Sequence, residues 1–150
     1  MMGKTGFSLI LALALVTVGT SSERKCVLSG SWRSNLDCRM VVSELSEAGA
    51  FSGSYHSVAM APKADILSSP LHGVQHNANQ KEQPTFGFTV KWQFSESPPE
   101  SMSVFVGQCF MDDQGEETLQ TTWLLRQEVG SPNANWEAFR VGTNIFTRIK

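Results

Sequence analysis

Several things are missing from this 150-residue sequence, and each absence narrows its chemistry. Twelve Lys and Arg residues face fourteen Asp and Glu, for a formal net charge of −2. That balance excludes the basic footprint of a nucleic-acid binder or of a protein held on an anionic membrane. No Asn-x-Ser/Thr sequon occurs, so N-glycosylation is not expected. A Gly-x-Ser-x-Gly elbow is also absent, and the acidic residues show no pairing that suits acid–base catalysis; the chain is not read as an enzyme. No segment keeps a 3.6-residue apolar period long enough for a major helix, and there is no repeat, heptad or low-complexity tract. Apart from the N-terminus, no apolar stretch approaches the length of a membrane span.

At the N-terminus, Lys4 precedes an apolar run from Phe7 to Val18, and small residues from Gly19 to Ser22 follow. The pattern is that of a secretory signal peptide over 1–22, leaving 23–150 as one domain of common size. The mature protein is therefore expected to be secreted, soluble and extracellular. In that oxidising setting the three cysteines, Cys26, Cys38 and Cys109, should form at least one disulfide. Three single pairings are possible, and counting does not choose among them. A Cys26–Cys109 bridge would close a loop of roughly 80 residues, worth about 4–5 kcal/mol in the chain-entropy model.

What is present is a series of short strands divided by turns. Alternation predicts strands over 26–33, 39–45, 50–58, 63–68, 83–94, 103–111, 117–127 and 138–148. Turn signals sit at Glu47-Ala48-Gly49, Asp112-Asp113-Gln114-Gly115 and Gly130-Ser131-Pro132-Asn133. This spacing suits an antiparallel sandwich or an up-and-down barrel. In "QPTFGFTVKWQF" one parity holds Phe86, Phe88, Val90, Trp92 and Phe94, so four aromatic rings line one side of a strand. Leu119, Trp123 and Leu125 share a parity in the same way.

Polar and small residues interrupt this lining. Ser103, Phe105, Gly107 and Cys109 fall on one face, and Asn144 shares a face with Arg140, Gly142 and Phe146. Buried amides and guanidinium groups must find partners. An aromatic-walled cavity with a few convergent polar groups is the general form of a small-molecule site. The opposite faces carry Val104, Val106, Phe110, Val141 and Ile145, an apolar surface that points to oligomerisation. His72 and His76 are four residues apart, but "SPLHGVQHNANQ" reads as a loop with no third ligand, so no metal site is expected.

"PTFGFTVKWQFSES", "VGQCF", "TTWLLR" and "RVGTNIFTR", in that order, resemble the avidin family of biotin-binding proteins, and "KCVLSGSW" and "FSGSYHS" extend the similarity to nearly the whole mature chain. The resemblance implies an eight-stranded antiparallel up-and-down β-barrel, all-β, with biotin held as a ligand at one mouth and no cofactor. It implies a homotetramer in which Trp136 is donated to a neighbouring pocket, and a disulfide between Cys26 and Cys109 that leaves Cys38 as the odd thiol. Trp92, Phe94, Phe105 and Trp123 match the rings that wrap the ligand's bicyclic body. Tyr55 matches a group that hydrogen-bonds the ureido oxygen; Ser57 and Asn144 match acceptors of the ureido N–H groups. Ser103 retains a hydroxyl at the ring-sulfur contact, and Ser95 and Ser97 match groups that bind the carboxylate.

Three departures from the family pattern concern polar contacts. Ser34, with Asn35 adjacent, stands where the family has an Asn two residues after the first-strand Trp32. Cys38 stands where it has a Ser six residues after that Trp. Met60-Ala61-Pro62 replaces a Thr-Ala-Thr loop, keeping Ala61 but losing two hydroxyls. Hydrogen bonds to a buried, partially charged oxygen are worth about 1–3 kcal/mol each and a thiol is a weak donor, so two weakened ureido contacts cost about 2–5 kcal/mol. The expected function is secreted, non-enzymatic sequestration of biotin or biotinylated molecules with reduced affinity. Two alternatives are a barrel that has exchanged biotin for another small ligand, and an extracellular oligomerisation or interaction module.

Overall fold

The computed structural model describes residues 25–57, 68–76, 83–94 and 99–150, and the expected signal peptide lies outside them. Alternation of inward and outward side chains folds these residues into eight strands: β1 Gly30–Ser34, β2 Arg39–Val42, β3 Ala50–His56, β4 Ser69–Gln75, β5 Thr85–Lys91, β6 Ser101–Met111, β7 Glu117–Gln127 and β8 Phe139–Arg148. Each pairs antiparallel with the next, and β8 returns to pair with β1, with Ser34 opposite Phe146. The result is a closed up-and-down barrel, which has no free sheet edge. A 3₁₀ turn, Pro132–Glu137, lies between β7 and β8.

β1 begins at Gly30 against an expected 26 and β2 ends at Val42 against an expected 45, and the fourth strand departs further. The fourth runs over Ser69–Gln75, in a stretch that reads as a loop; of the expected 63–68, all but residue 68 lies outside the described residues. The inward residues of β4 are Ser69, Leu71, Gly73 and Gln75, so its buried face is mostly polar or small and carries no apolar alternation. Gly73 is small for a packing reason. A methyl group there would collide with the Phe51 ring, the Phe88 Cβ and the Gly87 carbonyl. Neighbouring aromatics fill the volume that a strand residue of ordinary size would occupy. His72 and His76 are both exposed, His72 on the outward face of this strand.

The barrel is filled by a run of rings. Phe86 stacks near Phe88 at 6.1 Å between centroids, Phe88 on Phe105 at 4.7 Å, and Phe105 neighbours Tyr55 at 5.5 Å. The opposite end from the cavity is sealed covalently and electrostatically. Cys26 and Cys109 form the disulfide, with Cα atoms 5.8 Å apart, and Cys38 remains a free, buried thiol. Arg148 donates to Glu117 through Nε at 2.7 Å and Nη2 at 2.9 Å, and to the carbonyls of Ser29 and Val27. Its guanidinium also lies 4.2 Å from the centroid of the fully buried Trp32 ring, whose Nε1 donates to the Leu28 carbonyl at 2.9 Å.

Glu117 is the acid-sensitive member of this seal. Burial works against its charge, but the hydrogen bonds from Arg148 and from the Val27 N–H, with the Arg148 charge, outweigh it and hold the carboxyl below its ordinary 4.5. A carboxylate depressed on folding stabilises the protein above its unfolded pKa, and that contribution is lost as pH falls through the folded value. Glu117→Gln is therefore expected to lower Tm at pH 7, with the gap to wild type closing below about pH 4. Calorimetric melts from pH 7 to pH 3 measure this.

Candidate ligand-binding site

The β1–β2 turn shapes the open end of the barrel. Ser34 Oγ accepts the backbone N–H groups of Leu36 and Cys38, both at 3.1 Å. The Ser34 N–H donates to the Cys38 carbonyl at 2.8 Å, and Asp37 takes a left-handed conformation at φ 61°. An aspartate tolerates that region better than most residues. These bonds bring Leu36 over the barrel mouth and turn Cys38 inward.

Beneath the turn lies a cavity of about 180 Å³. Trp92, Phe105, Trp123, Leu125 and Leu36 make its apolar walls; Cys38, Tyr55, Ser57, Ser103 and Asn144 add polar atoms, and Arg140 stands at the rim. The indoles are held by their own N–H groups. Trp92 Nε1 donates to Ser103 Oγ at 2.8 Å, and Trp123 Nε1 donates to Asn144 Oδ1 at 3.2 Å. Trp123 has its position because Gly142 opposes it in register; a Cβ at Gly142 would overlap the indole.

The polar atoms form a connected set. Asn144 Nδ2 donates to Tyr55 Oη at 3.4 Å, and Cys38 Sγ lies 3.4 Å from Ser57 Oγ and 3.8 Å from the Leu36 carbonyl. Burial pushes the Tyr55 phenol well above its ordinary range; Cys38 adds to the effect and the Asn144 amide opposes it. Tyr55 thus keeps its proton and remains an O–H donor at physiological pH. A phenol donor, a carboxamide oxygen and hydroxyls facing one dry space can hold a compact ligand that is neutral and both accepts and donates hydrogen bonds.

Of the residues singled out in the sequence, Cys38, Tyr55, Ser57, Trp92, Ser103, Phe105, Trp123 and Asn144 meet at this cavity. Ser34 is buried behind the wall, with its oxygen committed to the turn. Phe94 is partly buried against the core without lining the cavity, and Trp136 projects from the 3₁₀ turn, 74% exposed. Ala61, Ser95 and Ser97 lie outside the described residues. Leu36, Leu125 and Arg140 line the cavity without having been singled out as ligand contacts. Their signals were an apolar residue in a polar turn and the inward parity each shares with Trp123 or Asn144.

Comparison with known proteins places this geometry in a family. The model of the avidin family matches residues 22–149. Avidin from Gallus gallus is 48% identical over 142 residues, covering 95% of this chain and 90% of the relative. Avidin-related protein 4/5 of Gallus gallus is 46% identical, covering 94% and 89%. Among solved structures, a biotin-binding protein from chicken superposes with a TM-score of 0.75 at 53% identity, covering 85% of this chain and 99% of the other. Xenavidin superposes equally well, at 0.75 and 42% identity, covering 84% and 100%. With the closed eight-stranded barrel and the match over nearly the whole described chain, this protein belongs to the avidin family.

Proposed function

We propose that this chain is a secreted, non-enzymatic biotin-binding protein with weaker affinity than the tightest members of its family. The observation that carries the reading is the cavity itself: it unites three aromatic walls, Trp92, Phe105 and Trp123, with the Tyr55–Asn144 and Ser57 polar set. Biotin's ureido group needs donors to its oxygen and acceptors for its N–H groups, and its fused ring and chain need apolar walls. Tyr55 supplies the donor, and Ser57 and Asn144 the acceptors. Rigid rings contribute about 25 cal/mol per Å² of apolar surface removed from water, with little conformational loss.

Two features support reduced affinity. Cys38 presents a thiol where the site needs a hydroxyl-strength donor, and Ser34 is not among the residues that line the cavity. Oligomerisation belongs to the same proposal. Trp136 is an exposed ring with no place in its own barrel, and the outward face of β6–β8 carries exposed Val104, Val106, Leu124, Val141 and Ile145. A homotetramer would cover that face and seat Trp136 over a neighbour's pocket. On the same face Thr122 pairs in register with Thr143 beside Val141, a small contact that should let tetramers fall to dimers.

Calorimetric titration of the purified protein should show saturable heat with biotin; no heat and no thermal stabilisation at millimolar ligand would refute the proposal. Cys38→Ser is expected to tighten binding by about 1 kcal/mol, one improved hydrogen bond. Because the Tyr55 phenol is raised on burial, biotin binding should persist through about pH 10, where an ordinary tyrosine begins to ionise. Trp136→Ala should cost about 2 kcal/mol or more, the scale of a buried aromatic anchor. Sedimentation across a dilution series should show dimers replacing tetramers at low concentration.

A further inference from the structure

All three cysteines of the chain are among the described residues, so its sulfur is fully accounted for: Cys26 and Cys109 form the disulfide, and Cys38 is left as a thiol. A free thiol in a barrel core is ordinarily inert, because packed side chains leave no room for a second sulfur to approach it. Cys38 is 3% exposed, yet it lines the cavity, so open space lies beside it. Its Sγ is 3.4 Å from Ser57 Oγ, a hydroxyl placed to donate to the sulfur as negative charge develops there during an attack.

The cavity is a ligand site on grounds that do not involve this sulfur. Trp92, Phe105 and Trp123 wall about 180 Å³ of space. Two hydroxyl oxygens facing that space act as acceptors, Tyr55 Oη from Asn144 and Ser103 Oγ from Trp92, and neither donates to any of the described residues. Both side chains are more than nine-tenths buried, so their protons are left for an occupant. A thiol therefore stands in the wall of a space built to take a small molecule. The walls are apolar, and a charged group would lose its hydration on entering.

We propose that Cys38 is a modification site: a small, uncharged aliphatic disulfide that enters the cavity exchanges with it, and the mixed disulfide fills the site and excludes biotin. In this step the Cys38 thiolate attacks one sulfur of R–S–S–R. The new S–S bond forms as the old one breaks, and the departing R–S⁻ takes up a proton equivalent to the one Cys38 gave up. Cys38 is oxidised, one half of the incoming disulfide is reduced to a thiol, and no other oxidant is consumed. The consequence, reversible loss of binding wherever such disulfides persist, rests on the biotin reading and deepens it. The adduct itself rests on the cavity and the thiol.

The test is incubation of the full mature protein with 2-hydroxyethyl disulfide, with the adduct read by intact mass and biotin affinity measured before and after. Native wild type should gain one hydroxyethylthio group per chain over minutes to hours, the time scale of uncatalysed exchange. The heat of biotin binding should then vanish, and return when dithiothreitol removes the adduct. Biotin at about ten times its dissociation constant should slow the modification about tenfold, because only the empty cavity reacts. Cys38→Ser should gain no mass, and its biotin titration should be the same before and after treatment. Glutathione disulfide, larger and charged, should react far more slowly. Three outcomes would each overturn the assignment and leave the biotin reading standing: a native protein unmodified under conditions that label its urea-unfolded chain, labelling that saturating biotin does not slow, or an adduct that binds biotin as before. If the untreated protein binds no biotin, that reading falls, and the mass gain at Cys38 alone decides the adduct.

Discussion

Inside a closed barrel every inward side chain draws on one shared volume, and the pairing of β1 with β8 imposes that limit on this protein. Eight strands leave an interior just wide enough for side chains to fill or for one small ligand. Here the allocation is uneven along the axis. Phe86, Phe88, Phe51 and Phe105 occupy one stretch of the interior so fully that Gly73 must give up a side chain to them. Toward the mouth, Gly142 yields in the same way to Trp123, but the indole stands at a wall and the space beside it stays open. The site is the part of the core that is not filled.

An open interior is stable only if its polar atoms have somewhere to bond when no ligand is present. The cavity meets this condition with its own groups: Trp92 bonds Ser103, Trp123 bonds Asn144, and Asn144 bonds Tyr55. These bonds also preorganise the site, since they hold the indoles and the carboxamide where a ligand would meet them. Cys38 is the member with the weakest capacity. It faces Ser57 and the Leu36 carbonyl at distances suited to sulfur, and offers a ligand less than a hydroxyl would. The stretch that carries it, from Trp32 to Cys38, is held by Ser34, whose oxygen serves the turn. In this chain, then, the turn and the site draw on the same few residues.

Much of the barrel was legible from alternation, because each strand with strong apolar parity declares both its existence and its inward face. β5, β6, β7 and β8 lie within two residues of the expected bounds at nearly every end. β4 was illegible because its buried face, Ser69, Leu71, Gly73 and Gln75, holds one large apolar residue, and at Gly73 Phe51 on β3 and Phe88 on β5 take up the space a side chain would need. Periodicity reports a residue's own hydrophobicity and is silent about volume supplied from adjacent strands. Two neighbouring cavity residues show the same limit. Parity could say that Leu125 and Arg140 point inward, but not that they stand at a rim rather than in a filled core.

Sequence alone determined the strand-rich class, the aromatic lining and, through its motifs, the family resemblance, because these depend on residue type and local spacing. The tertiary structure decided which of those residues share a space. It paired Cys26 with Cys109, turned Cys38 into the cavity, withdrew Ser34 behind it and set Trp136 outside the barrel altogether. Those outcomes follow from closure, which brings residues 84 to 110 positions apart into contact, as between Cys26 and Phe110 or Asn35 and Ile145. No local pattern carries that information, because the register of the last strand against the first is set by the whole circuit.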